Sequence, residues 1–174
     1  MSEIKPIIQK YIYSEEEKEL QEIIGEILRS KNLTLSIAES FTGGLISDWI
    51  TDIPGSSDHF LGSITSYSNT SKIRELGVLK ETLDRFGAVS EQTAKEMSLG
   101  VQNIYGSDCA ISSTGIAGPG GATDNKPVGL CYICAVYGEK IFVKEFNFGT
   151  NRRINKERGA MAALESLRRL LLNL

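Results

Sequence analysis

Four short stretches carry the residue types that hydrolytic or anion-binding chemistry uses. AESFTGG, residues 38 to 44, packs the carboxylate of Glu39, the hydroxyls of Ser40 and Thr42, and Gly43 and Gly44 into one turn. YSNTSK, residues 67 to 72, offers Tyr67, Asn69 and Lys72. STGIAGPGG, residues 113 to 121, opens with Thr114 and Gly115 inside the strand-to-loop transition, and RRINKER, residues 152 to 158, gathers Arg152, Arg153, Lys156 and Arg158. A serine attacks a carbonyl only when a base takes its proton. His59 is the only histidine, so a Ser-His-Asp arrangement fits poorly, and a lysine whose pKa is lowered by burial is the alternative base. Lys72, just after a strand, is the best placed candidate. Plainer readings stand beside these: Ser40 or Thr42 as a cap of the following helix, Tyr67 as a half-buried strand residue, Lys72 as a solvated helix residue.

The basic stretch sits where a helix should begin, and there the macrodipole disfavours cations, whereas Arg168 and Arg169 near the helix end are where such residues belong. Four positive charges at that end call for an anion, either a phosphate-bearing substrate or an acidic neighbouring subunit. A solvated charged face is the plain alternative.

Elements that would position these residues can be read from periodicity. A lead-in over residues 1 to 13 precedes a capping-box spacing at Ser14 and Glu17, after which Leu20, Ile23, Ile24, Ile27 and Leu28 recur at helical intervals. LTLSIAES reads as a buried strand, LISDWITDI as a short helix stopped near Pro54 and Gly55, and HFLGSITSYS as a second strand. SNTSKIRELGV and residues 79 to 86 predict two short helices, and Ser90 caps a longer one with Ala94, Met97, Val101 and Ile104 on its apolar face. SDCAISST is a third strand, leading into a Gly/Pro-rich loop too long to be a simple connector. GLCYICAVYG and KIFVKEFNFG form a hairpin over Gly138 and Glu139, and Ala160, Ala163, Leu164, Leu167, Leu170 and Leu171 mark a final helix from about Arg152. Alternating strands and helices followed by a hairpin predict a single-domain α/β layered sandwich, a mixed β-sheet flanked by helices, over residues 14 to 174.

Composition excludes several classes. The 174 residues are 41% apolar and 24% charged, with a net charge of -3 spread along the chain, which favours neither nucleic acid nor a membrane surface as partner. No apolar run approaches the roughly 20 residues that span a bilayer, and MSEIKPIIQKYIYSEEEK lacks a signal-peptide core, so a cytoplasmic protein is expected. Cys131 and Cys134 form a CxxC inside a strand, where side chains three apart face opposite ways, so they should pack rather than chelate, and no metal site is expected. Neither the dinucleotide nor the P-loop glycine fingerprint occurs, and no cofactor is expected.

AESFTGG, IPGSS at 53 to 57, YSNTSK, GAVSE at 87 to 91, STGIAGPGG and KPVG at 126 to 129 follow in the order and approximate spacing of the CinA C-terminal domain family, which the chain resembles over residues 15 to 172. The resemblance implies a nicotinamide mononucleotide deamidase of the bacterial pyridine nucleotide cycle: hydrolysis of the substrate carboxamide to nicotinate mononucleotide and ammonia, without a metal. It implies Ser40 as nucleophile, Tyr67 and Lys72 as its proton-transfer partners, and Ser57 as a supporting polar group. Thr114 would lie near the reacting amide and Arg152, or the adjacent Arg153, at the phosphate. Glu39, Thr42, Gly43, Gly44, Asn69 and Gly115 complete the expected substrate site, with oxyanion-binding N–H groups at Thr42 to Gly44 or Thr114 to Gly115. A homodimer or larger assembly is also implied. Two departures stand out: Phe41 where the family usually has cysteine, and GTNRR in place of GDR. The rival reading is a catalytically impaired nucleotide- or partner-binding module with the same pocket.

Overall fold

The computed structural model describes residues 17 to 174; the lead-in and Ser14 lie outside the described residues. Its elements run α1 (Leu20–Lys31), β1 (Leu35–Glu39), α2 (Leu45–Thr51), a single 3-10 turn (Ser56–Asp58), β2 (Phe60–Thr65), α3 (Asn69–Leu76), α4 (Lys80–Phe86), α5 (Glu91–Tyr105), β3 (Cys109–Gly115), β4 (Leu130–Tyr137), β5 (Lys140–Asn147) and α6 (Arg152–Leu172). The helix expected after Ser14 begins at Leu20, where Glu19 and Glu22 form a reciprocal capping box.

The strands form one sheet in the order β2-β1-β3-β4-β5, with β1 parallel to both its neighbours and the last two pairs antiparallel. β1 is buried along its whole length, as its unbroken apolar and small-residue run requires. The two-residue alternation then divides the core. Leu35, Ile37, Cys109, Ile111, Cys131 and Ile133 pack with α1, α2 and α6 on one face. Ala38, Ala110, Cys134 and Val136 pack with Leu76, Leu83, Ala94, Met97 and Val101 on the other. Cys131 and Cys134 thus fall on opposite faces, and burial raises both thiols well above their usual range, Cys134 to about 11. Ile104, expected on the apolar face of α5, is instead 48% exposed, and the next residue, Tyr105, takes the last contact with the sheet through Ser63 O. Among the described residues no helix is long and apolar enough to cross a membrane.

The chain passes from β1 to β2 on one side and later places β3 on the other, so β1 is the topological switch strand. Ligands of such sheets collect outside the carboxyl end of that strand. Ser40 is the residue immediately after β1.

Candidate active site

The turn after β1 is built around a buried carboxylate. Glu39, fully buried, accepts from Thr42 Oγ1 at 2.6 Å, Gly44 N at 2.9 Å, Ile46 N at 3.1 Å, Ser47 N at 2.9 Å and Ser47 Oγ at 2.5 Å. It takes up the free N–H groups that open α2, a capping task that Gly44, in the left-handed conformation, cannot perform with a side chain. Thr42 is fully buried too, and its hydroxyl also pairs with Ser113 Oγ at 2.7 Å. Glu39 and Thr42, expected at the substrate, therefore hold the turn from beneath, and the Gly44 N–H is already occupied.

Ser40 faces the other way. Its N–H donates to Ser113 O at 2.9 Å, and its Oγ meets Lys72 Nζ at 2.9 Å. Lys72 reaches this position because Ser68 and Ser71 cap α3 reciprocally, fixing the helix just after β2. The lysine is 1% exposed, and its second acceptor is the Ser66 carbonyl at 2.7 Å. Burial lowers the amine from its usual 10.5 to about 8, and among the described residues Lys72 has no ion-pair partner. A lysine so placed is neutral in a useful fraction near neutral pH and touches a serine hydroxyl, the requirements of a general base.

A cavity of about 210 Å³ opens over Ser40, lined among others by Phe41, Tyr67, Gly115, Ile116 and Arg152. Arg152 closes one side, donating to Gly118 O and to the Tyr67 hydroxyl, both at 2.7 Å. Arg153 turns outward to Glu157 at 2.9 Å, and of the two arginines Arg152 alone lines the space over Ser40. A larger depression of about 490 Å³, lined by Leu45, Arg152, Arg153, Lys156 and Glu157, adjoins this one across Arg152.

Gly115 supplies a donor. Ser113 O faces β1, where it receives the Ser40 N–H, whereas Ile116 N faces β4 and donates to Leu130 O at 2.8 Å. By alternation the Gly115 N–H points to the β1 side, beyond the last β1–β3 pair, where it meets no acceptor among the described residues. A side chain there is excluded, since a Cβ would lie 2.5 Å from Leu130 O and 2.6 Å from Phe41 Cδ2.

Phe41 turns its ring into the core, 3% exposed, beneath Gly115 and against Gly159 of α6, where a Cβ would lie 2.7 Å from Phe41 Cε1. Two glycines thus make room for the Phe41 ring, and the space over Ser40 stays open.

Several expected site residues stand elsewhere. Tyr67 is 63% exposed and bonds to Arg152, not to Ser40 or Lys72, so it belongs to the cavity rim rather than the proton path. Thr114 is buried on the α5 face and donates to Ala88 O at 2.7 Å, clamping the loop before α5. Lys126 fixes the same loop through Phe86 O at 2.6 Å and Val89 O at 2.8 Å, which accounts for the GAVSE and KPVG stretches together. Asn69 is exposed at the first turn of α3, and Gly43 is exposed beside Lys156. Ser57 lies in the 3-10 turn before β2, whose first residue pairs with Leu35. That is the amino end of the parallel strands, about 17 Å along β1 from Ser40 at the usual rise, so within one chain it cannot support the nucleophile.

Sequence reasoning missed Asn155. Its side chain donates to Ala117 O at 3.0 Å and Gly149 O at 2.8 Å, tying the glycine-rich loop to α6. The signal was a polar residue on the helix stripe that otherwise carries Gly159, Ala160 and Ala163.

Comparison with known proteins gives this arrangement a family. The family model of the CinA C-terminal domain matches residues 17–171. The chain belongs to the CinA C-terminal domain family. A CinA-like protein of Chloroherpeton thalassium is 49% identical over 97% of this chain. A putative competence-damage inducible protein of Caldicellulosiruptor saccharolyticus is 45% identical over 99%. The chain spans 41% and 42% of those relatives' lengths. The crystal structure of the competence/damage inducible protein CihA from Agrobacterium tumefaciens superposes with a TM-score of 0.85 at 38% identity, covering 87% of this chain and 93% of that one. A competence or damage-inducible protein from Enterobacter asburiae gives 0.85 at 30% identity, covering 88% and 96%. The mixed five-stranded sheet is therefore the family's fold.

Proposed function

We propose that the domain is an amidohydrolase that converts nicotinamide mononucleotide to nicotinate mononucleotide and ammonia through an acyl-enzyme on Ser40. The observation that carries this reading is the 2.9 Å contact between Ser40 Oγ and the buried amine of Lys72 at the floor of the cavity. Neutral Lys72 accepts the Ser40 proton as Oγ bonds to the amide carbon, and the carbonyl oxygen, now negative, takes the Gly115 N–H. Lys72 passes the proton to the amide nitrogen, the C–N bond breaks, and ammonia leaves. Water then adds to the ester carbon, giving one proton to Lys72, which returns it to Ser40 Oγ as the carboxylic acid departs and loses its remaining proton to solvent.

Cavity size supports a nucleotide that lies across Arg152. The space over Ser40, about 210 Å³, suits a pyridine carboxamide, and the adjoining basic depression offers the 5'-phosphate Arg152 and Lys156. The test is to incubate purified protein with nicotinamide mononucleotide and follow ammonia and nicotinate mononucleotide, with Ser40→Ala and Lys72→Ala in parallel. Product from the wild type and none from either variant is expected. No product from the wild type removes the substrate assignment, and unchanged activity in Ser40→Ala removes the mechanism.

A further inference from the structure

One hydroxyl beside the Ser40–Lys72 pair has no task in the mechanism above. Ser66 is fully buried, yet among the described residues its Oγ has no hydrogen-bond partner. Its backbone is committed: the N–H donates to Glu39 O at 2.8 Å and the carbonyl accepts from Lys72 Nζ at 2.7 Å. Ala38 pairs with Ile64 and Glu39 with Thr65 in the parallel ladder, so the next step sets Ser66 beside Ser40. Side chains at paired positions share a face, here that of Ala38, Ile64 and Leu76, from which α3 presents Lys72. An unsatisfied hydroxyl in such a place is costly, a cost that an apolar residue there, like the neighbouring Ala38, does not carry.

The chemistry gives that hydroxyl a use at one stage. In the resting enzyme neutral Lys72 has two N–H bonds and one lone pair; the Ser66 carbonyl takes one N–H and the Ser40 hydroxyl covers the lone pair. Once Ser40 is acylated its oxygen is an ester and has no proton to offer. The Lys72 lone pair then lacks a donor until water arrives. We propose that Ser66 is a positioning residue for deacylation: its Oγ turns to accept the second Lys72 N–H, directly or through one water, and so keeps the lone pair aimed at the arriving water. Ser66 does not line the cavity, so it acts through Lys72. This inference rests on an acyl-enzyme at Ser40 but not on the identity of the acyl group.

The test uses p-nitrophenyl acetate as an acyl donor independent of the nucleotide. The initial burst of p-nitrophenol reports acylation of Ser40 and the slow phase its hydrolysis, with Ser40→Ala as the variant that should give no burst. We expect Ser66→Ala to keep the burst rate within about twofold and to slow the second phase about tenfold, as loss of one hydrogen bond implies. The acetyl adduct should accumulate by intact-protein mass spectrometry, and Ser66→Thr, which keeps the hydroxyl, should restore the slow phase. Equal loss in both phases, or no loss in either, overturns the inference. A wild type that turns over the ester but yields nothing from nicotinamide mononucleotide removes the substrate assignment and leaves the Ser66 role standing.

Discussion

Lys72 Nζ lies 2.9 Å from Ser40 Oγ, from a site 1% exposed and without an ion-pair partner among the described residues. The arrangement is costly for folding. The unfolded chain keeps a proton on this amine up to about its usual 10.5, whereas the folded chain releases it near 8, so stability should rise with pH across that window. Replacing the amine by Lys72→Met removes a burial penalty of about 3 kcal/mol at pH 7 and forfeits two hydrogen bonds of about 1 kcal/mol each. Relative to wild type the variant should lose about 3 kcal/mol of stability between pH 7 and about pH 10.5, read by thermal unfolding across that range. A difference between the two proteins that does not change with pH would show that the amine is not penalised by burial.

Glu39 tests the account of the turn. Glu39→Gln keeps the shape but turns an amide N–H₂ toward donors, leaving at least one buried group unsatisfied, at a cost of about 2–4 kcal/mol. Urea unfolding should show that loss, and amide exchange should quicken first in α2, whose opening N–H groups Glu39 receives.

Phe41 and Gly159 should behave as a pair. Phe41→Cys alone leaves a void costing about 2–4 kcal/mol, and Gly159→Ala alone forces a methyl against the ring at about 1–3 kcal/mol. The double variant should be more stable than the sum of the single changes by about 1–2 kcal/mol, measured by a double-mutant cycle. Additive losses would mean that the ring does not need the glycine.

Arg152 and Arg153 are neighbours with different expected consequences. Arg152→Ala should raise KM for nicotinamide mononucleotide by about tenfold to a hundredfold, the worth of a charge-assisted contact, and have little effect on nicotinamide riboside, which lacks the phosphate and is expected to be a poor substrate. Arg153→Ala, which removes a charge from the rim of the outer depression and frees the exposed Glu157, should raise KM by no more than about threefold.

Much of this was legible in the chain. Hydrophobic period located every element of the sheet, and the clustering of AESFTGG after an apolar strand put Ser40 at the carboxyl end of β1. The alternation also foretold that Cys131 and Cys134 would face apart. What the sequence could not convey was direction across a turn. Glu39 and Ser40 are adjacent, yet the pleat sends one beneath the sheet to cap α2 and the other toward α3. Thr114 follows the same rule and reaches Ala88 rather than the cavity. Ser57 was misplaced because its motif lies before β2, and in a parallel pair the two ends of a strand are far apart. Phe41 could not be judged without Gly159, a partner that only packing against α6 reveals.

The central claim is that neutral Lys72 takes the proton of Ser40, and the pH dependence of kcat/KM for nicotinamide mononucleotide tests it most directly. The rate should rise about tenfold per pH unit below the Lys72 value of about 8 and level above it. A profile that is flat from pH 6 to 9, or that falls as the pH passes 8, would contradict a lysine base at Ser40.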